Sequence, residues 1–311
     1  MIQPLAGRAI VIAGPTASGK SQLASALAER LGGVIINADS MQVYRELSVL
    51  TARPQAGELA RLPHALYGFV GGEEAYSAGR YGRDAAGAIA AARQAGRVPV
   101  VVGGTGLYLH ALLQGLSPVP STDPAVRAHW RQQAQARPAR ELHALLGARD
   151  PIMAARLQPS DPQRIVRALE VFDSTGRSLA DWQRRPGRPV LEASDTIPLL
   201  VLPPAASHAA AITQRFQRML AEGALEEVRR LLALGFSAEL PIMRALGVAP
   251  LAEHLAGRQN LAAAAAAAEL ATRQYAKRQR TWFRRNMMSW KTYETKEMER
   301  TTAEILAFIE P

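Results

Sequence analysis

Gly14-Pro15-Thr16-Ala17-Ser18-Gly19-Lys20-Ser21 has the spacing G-x-x-x-x-G-K-S. Glycines at its two ends let the backbone curl, so that successive N–H groups converge on a phosphate oxygen. Lys20 neutralises phosphate charge, and the Ser21 hydroxyl suits Mg²⁺. The pattern has this meaning only between a buried strand and a helix. Both are expected here: the apolar run 9–13 precedes it, and residues 22–31 form a helix-favouring run behind it. The stretch reads as a binding site for a di- or triphosphate.

Three further groups carry chemistry. Asp39, in Asp39-Ser40-Met41-Gln42, follows a second apolar run at 34–37 and is expected on the same crevice as the P-loop. There it either accepts a proton from an incoming nucleophile or caps a helix. A later apolar run, 98–102, ends in Gly103-Gly104-Thr105-Gly106 where a nucleotide hydrolase would place an acid for Mg²⁺, which counts against ATP hydrolysis. Thr105 offers a hydroxyl on a flexible turn instead, unless the stretch is only a turn and helix start, and Arg215 is either a further anion ligand or an ordinary surface arginine.

Basic residues form the third group. Gln163, Arg164 and Arg167 lie in a helical run whose Ile165 and Leu169 face inward; the arginines grip phosphate or a base edge, or line a solvated face. Residues 272–285 hold six cations and no acid. On a helix Arg273, Lys277, Arg280 and Arg284 fall within about a 60° arc, with Tyr275 and Trp282 opposite. A one-sided basic stripe of this kind suits a nucleic-acid backbone.

The elements that must position these groups are legible in outline. Apolar runs at 9–13, 34–37, 98–102 and 197–202 alternate with helical segments, which predicts an α/β fold with a parallel sheet covered on both faces. Ligands on such sheets sit beyond the carboxyl ends of the strands. From about residue 118 the chain turns Arg-rich and helical, until the Pro/Arg/Gly stretch 184–190. The expected organisation is a P-loop core in two parts, 1–117 and 196–311, with an inserted all-helical domain at 118–195. The alanine block 262–268 belongs to a helix.

The formal charge of +10, from 37 Lys+Arg against 27 Asp+Glu, suits a polyanionic partner, but an Arg-rich composition without functional cause gives the same balance. The absence of cysteine excludes disulfides, thiolate zinc sites and cysteine nucleophiles. No apolar run approaches the roughly 18 residues of a membrane span, and the first residues lack a secretory pattern, so a cytoplasmic protein is expected. No long heptad seam is visible, so a monomer is expected.

Taken in order, GPTASGKS, INADSMQVY, TARP at 51–54, YSAGRYGRDA, VVGGTGLYLHALLQGLSPVP, DPQRIVRALEV, TGRSLADWQ and ATRQYAKRQRTWFRRN resemble the tRNA dimethylallyltransferase family of bacterial type, over nearly the whole chain. The resemblance implies a P-loop core with an inserted helical domain that grips the tRNA anticodon stem-loop. It implies dimethylallyl transfer from dimethylallyl diphosphate to N6 of adenosine 37 in tRNAs reading codons that start with U. Catalytic roles fall on Asp39 as general base, Thr105 and Arg215. Gly14 to Ser21 hold the diphosphate, with Mg²⁺ on Ser21. RNA contacts fall on Asp39, Ser40, Met41, Gln42, Thr105, Arg127, Gln163, Arg164, Ile165, Val166, Arg167, Arg244, Gly247, Lys277, Arg278, Arg280 and Arg284.

Two departures stand out. Val248 follows Gly247 where the family usually has an aromatic, and the Cys/His finger of eukaryotic relatives is missing. The competing readings are an adenylate isopentenyltransferase, a small-molecule kinase and a non-catalytic RNA-binding module.

Overall fold

The structure is a computed structural model that describes residues 7–294 and 297–309. The chain divides into two compact units, one of Met1–Leu113 with Val190–Pro311 and one of Gln114–Pro189.

The first unit begins with β1 (Ala9–Ala13), α1 (Lys20–Leu31), β2 (Val34–Asn37), α2 (Ala56–Arg61), β3 (His64–Ala65), α3 (Ala78–Gln94), β4 (Pro99–Gly103) and α4 (Gly106–Leu113). The second unit follows with α5 (Pro124–Ala136), α6 (Ala139–Arg149), α7 (Pro151–Arg156), α8 (Pro162–Thr175) and α9 (Leu179–Gln183). The chain then re-enters the first unit with β5 (Thr196–Val201), α10 (Ala205–Ala221), α11 (Ala224–Ala233), α12 (Val248–Leu255), α13 (Leu261–Asn286), β6 (Lys291–Tyr293) and α14 (Met298–Ile309).

All six strands pair in parallel, in the order β3-β2-β4-β1-β5-β6. The central strand β1 is buried along its whole length, and its period of two sends alternate side chains to opposite faces. Val11 packs with Tyr81 of α3, Leu109 of α4, Phe216 of α10 and Phe283 of α13. Ile10 and Ile12 pack with Leu23 and Leu27 of α1 and with Ile305 and Ile309 of α14. Helices on both faces leave the carboxyl edge of the sheet as the open end for a ligand.

The helical unit has its own core of Trp130, Leu142, Leu146, Met153, Ile165, Ala168 and Leu169. The Trp130 indole N–H donates to Asp173 Oδ2 at 2.9 Å, which satisfies the polar end of that buried ring. Helix starts are capped by Asp123, Asp150, Asp161 and Ser178.

The sequence placed the insertion at 118–195. The division at 114 and 189 differs because the amides of Val190 and Leu191 both donate to the Leu112 carbonyl, which returns 190–195 to the core. The short strands β3 and β6 were not anticipated.

Candidate active site

The P-loop joins β1 to α1. A side chain on Gly14 would place a Cβ 2.7 Å from the Val201 carbonyl oxygen and 2.9 Å from Ser18 Oγ, so only glycine leaves β1 beside β5 here. Ala17 (φ 58°) and Gly19 (φ 84°) both take left-handed backbone, and these two reversals curl the loop. Helix α1 starts with no side-chain cap and no acid in its first turn, which leaves its N–H groups and dipole for an anion. Pro15 and Ser18 are buried, Thr16 is half-buried, and Ser21 lies exposed on the first turn.

Lys20 is buried, and its ammonium donates to the Pro15 carbonyl at 3.2 Å. Burial pushes its pKa down to about 8; the nearby Asp39 charge opposes that shift and Arg215 adds to it. Arg215 reaches in from α10, donating to Thr16 Oγ1 at 3.0 Å and to the Thr51 carbonyl at 3.2 Å. Burial lowers its pKa too, against the pull of Asp39.

Asp39 follows β2. Its amide donates to Asn37 Oδ1 at 2.8 Å, and its own Oδ1 accepts the Met41 N–H at 2.9 Å. That is an Asx turn, not a helix cap, since no helix begins until α2. One carboxylate oxygen is used to hold the turn, and Asp39 acts electrostatically on Lys20 and Arg215 together. Thr105 locks this turn from the neighbouring strand end: its Oγ1 accepts the Ser40 N–H at 2.9 Å, and its amide donates to the Ala38 carbonyl at 3.3 Å. Gly103 makes the approach possible, because a Cβ there would lie 2.1 Å from the Ala38 carbonyl oxygen. The loops after β1, β2 and β4 thus converge on one set of charges, Lys20, Arg215 and Asp39.

Other residues named from the sequence sit differently. The Gln42 amide donates to the carbonyls of Thr51 (3.0 Å) and Ala52 (2.9 Å), so both its protons are engaged in holding that turn. Ser40 and Met41 are half-buried beside it. Ile165 is fully buried in the helical core, which corrects its assignment to an RNA surface, and Val166 is half-buried. Arg127, Gln163 and Arg164 are exposed. Arg167 instead bonds Thr122 and pairs with the buried Glu170 at 3.3 Å, so it serves its own unit.

Arg244 is exposed, but Gly247 is buried at φ 95° with Leu50 and Phe216 against its α-carbon, and Val248 is a core residue. Neither side of that pair presents a side chain to RNA. On α13, Arg273 pairs with Glu269 and Arg280 donates to the Pro203 carbonyl at 2.6 Å. The outward cations are Lys277, Arg278, Arg284 and Arg285, so the exposed stripe is rotated from the expected one.

Sequence reasoning missed several residues at this site. His208 Nε2 donates to the Thr16 carbonyl at 2.7 Å, and Gln279 binds the Thr16 amide at 2.9 Å. Tyr275, which the sequence sets opposite the basic stripe, is half-buried near Asp39 and Thr105, and burial raises its pKa. Glu227, buried, accepts the amides of Ser48, Val49 and Leu50 and so fixes the segment that leads to Thr51. Tyr275 and Gln279 share one side of α13 at a spacing of four, whereas His208 on α10 and Glu227 on α11 leave no comparable trace in the sequence.

No group of three metal-ligating side chains occurs among the described residues. A hard cation beside Ser21 would therefore take most of its oxygen ligands from a phosphate and water, the manner in which Mg²⁺ binds at phosphate sites.

A family model described as IPP transferase matches residues 42–286, and one described as Isopentenyl transferase matches residues 7–66. The chain is 50% identical over 311 residues to the tRNA dimethylallyltransferase of Parvibaculum lavamentivorans, covering 100% of this chain and 98% of that protein. It is similar to the solved full-length tRNA isopentenylpyrophosphate transferase of Bacillus halodurans, with TM-score 0.69, 28% identity and coverage of 97% and 95%. It is similar also to a eukaryotic dimethylallyltransferase captured acting on tRNA, with TM-score 0.80, 26% identity and coverage of 96% and 77%. With relatives at this identity over its whole length and a P-loop meeting an acid and an arginine at the strand ends, the chain belongs to the tRNA dimethylallyltransferase (IPP transferase) family.

Proposed function

We propose that this chain transfers the dimethylallyl group of dimethylallyl diphosphate to N6 of adenosine 37 in tRNAs reading codons that begin with U. The observation that carries the reading is the meeting of Lys20, Arg215 and Asp39 beside a loop shaped for phosphate. Two cations and a helix N-terminus there serve a departing diphosphate, and one carboxylate serves the amine that replaces it.

In the step, the allylic C1–O bond breaks and its electron pair leaves on diphosphate, while N6 donates its lone pair to C1. The P-loop amides, Lys20 and Arg215 meet the charge that develops on the leaving oxygen. Asp39 accepts the N6 proton as the new bond forms. Mg²⁺, held by Ser21 and the diphosphate, would neutralise further leaving-group charge when bound. Thr105 holds the Asp39 turn, and the adenine must leave its stack, which is least costly in an already single-stranded loop.

For the RNA we assign the outward cations Lys277, Arg278 and Arg284 of α13, with Arg244, and Arg127, Gln163 and Arg164 of the helical unit. The enzyme acts as a cytoplasmic monomer on the anticodon stem-loop. Incubation with labelled dimethylallyl diphosphate and either unmodified tRNA, AMP or a small hydroxyl substrate with ATP tests the reading. Label in adenosine 37 alone is expected. Label in AMP points to an adenylate isopentenyltransferase, and ATP turnover alone points to a kinase.

A further inference from the structure

Gln279 lies in the middle of α13, nearly opposite Lys277 around the helix, and is 6% exposed. Both ends of its amide are in use. Oε1 accepts the Thr16 N–H at 2.9 Å, and Nε2 donates to the Gly104 carbonyl at 2.8 Å. A single side chain therefore ties the loop after β1 to the loop after β4.

The two partners are backbone groups of opposite polarity, so the brace needs one donor and one acceptor at this reach. Glu has no donor, Met has neither, and Asn is a methylene shorter. Gly104 permits the contact, because a Cβ there would lie 2.4 Å from Gln279 Nε2.

The same inner side of α13 serves the other loops. The Trp282 ring lies against Gly106, where an added Cβ would come 2.6 Å from Cδ2. Thr16 is held at its amide by Gln279, at its carbonyl by His208 and at its hydroxyl by Arg215. Its N–H is thus withdrawn from the set that can bind phosphate. The peptide units on both sides of Thr16, the second of which carries the Ala17 N–H, are fixed from outside the loop.

We propose that Gln279 is the positioning residue of the diphosphate cradle, holding the P-loop in its anion-binding shape and in register with the loop that carries Thr105. The proposal rests on the reading that diphosphate occupies the P-loop, and its test reads that binding directly. Titration of the full chain with inorganic pyrophosphate and Mg²⁺ needs no prenyl acceptor.

Gln279→Met is expected to weaken pyrophosphate about tenfold and to raise KM for dimethylallyl diphosphate by a similar factor. Affinity for an anticodon stem-loop RNA should stay within about twofold, because Gln279 faces away from the outward cations. Gln279→Glu should be worse, since it sets a carboxylate oxygen against the Gly104 carbonyl. Gly104→Ala keeps Gln279 but crowds both its amide (2.4 Å) and the Gly14 carbonyl of the P-loop (2.9 Å), so it disturbs the same junction from the other side and should reproduce the pyrophosphate loss if the Gln279 variants fold poorly.

Pyrophosphate binding unchanged in both Gln279→Met and Gly104→Ala overturns the proposal, as does an equal loss of RNA and pyrophosphate affinity, the mark of a helix merely disordered. A wild-type chain that binds no pyrophosphate overturns it together with the P-loop reading. One that binds pyrophosphate but transfers nothing to RNA removes the proposed activity and leaves the role of Gln279 standing.

Discussion

Charged side chains at the strand ends of the core and those of the helical unit are secured by different means. In the core, Lys20 and Arg215 are tied to backbone or hydroxyl atoms of loops, and Asp39 acts on both through space. In the helical unit, arginines pair with acids three or four residues away: Arg164 with Asp161, Arg137 with Glu141 and Arg184 with Asp181. Exposed local pairs contribute at most about 1 kcal/mol and exchange readily with a phosphate. On the proposed function, groups that must face one reacting atom have fixed partners, and groups that would meet a flexible polyanion do not.

That contrast is most exposed at Asp39. Asp39→Asn keeps an oxygen for the Met41 amide while removing the base, so the turn should survive. Single-turnover rates are expected to fall about 10³-fold with RNA affinity unchanged. Unchanged rates would remove Asp39 from proton transfer.

Lys20→Met comes next, with an expected rise of about 10²-fold in KM for dimethylallyl diphosphate. The pH dependence follows from the lowered pKa. In the wild-type chain kcat/KM should decline above a pH of about 8, as Lys20 loses the proton that neutralises phosphate. The unfolded chain keeps that proton up to about 10.5, so between these values it binds more protons than the folded one, and this group's effect on stability grows more favourable with rising pH. Lys20→Met should for the same reason raise Tm at pH 7. A lower Tm would show that the ammonium stabilises the empty loop.

Smaller effects are expected on the RNA side. Lys277→Ala with Arg284→Ala should weaken stem-loop binding about tenfold and reduce its dependence on salt, leaving pyrophosphate binding intact. Within the helical unit, Arg164→Ala should weaken RNA a few-fold with no change in Tm. Arg167→Ala, which strands the buried Glu170, should lower stability by roughly 1–3 kcal/mol. If the two arginines behave alike, the distinction between RNA-facing and fold-serving arginines fails.

How far the sequence carried depends on distance along the chain. The P-loop was legible because strand, turn and helix are contiguous, and Asp39 because it ends a buried strand. Gln279 and His208 were not, since their partner Thr16 lies 263 and 192 residues away. Arg164 and Arg167 looked equivalent because helical spacing places both outward. Only the packing of Glu170 and Thr122 separates them. The Val248 departure resolves in the same way: its neighbours Leu50 and Phe216 around Gly247 mark the position as interior, which no local pattern reveals. Strands β3 and β6, of two and three residues, are too short to leave a periodic trace.

Thr16 is gripped from positions 208, 215 and 279. During synthesis the ribosome delivers the GPTASGKS segment long before any of those three, and the last of them only when most of the polypeptide has emerged. A growing chain thus carries the motif without the three side chains that hold it, so on the proposed function its competence to bind a diphosphate arrives late, once α13 has been made.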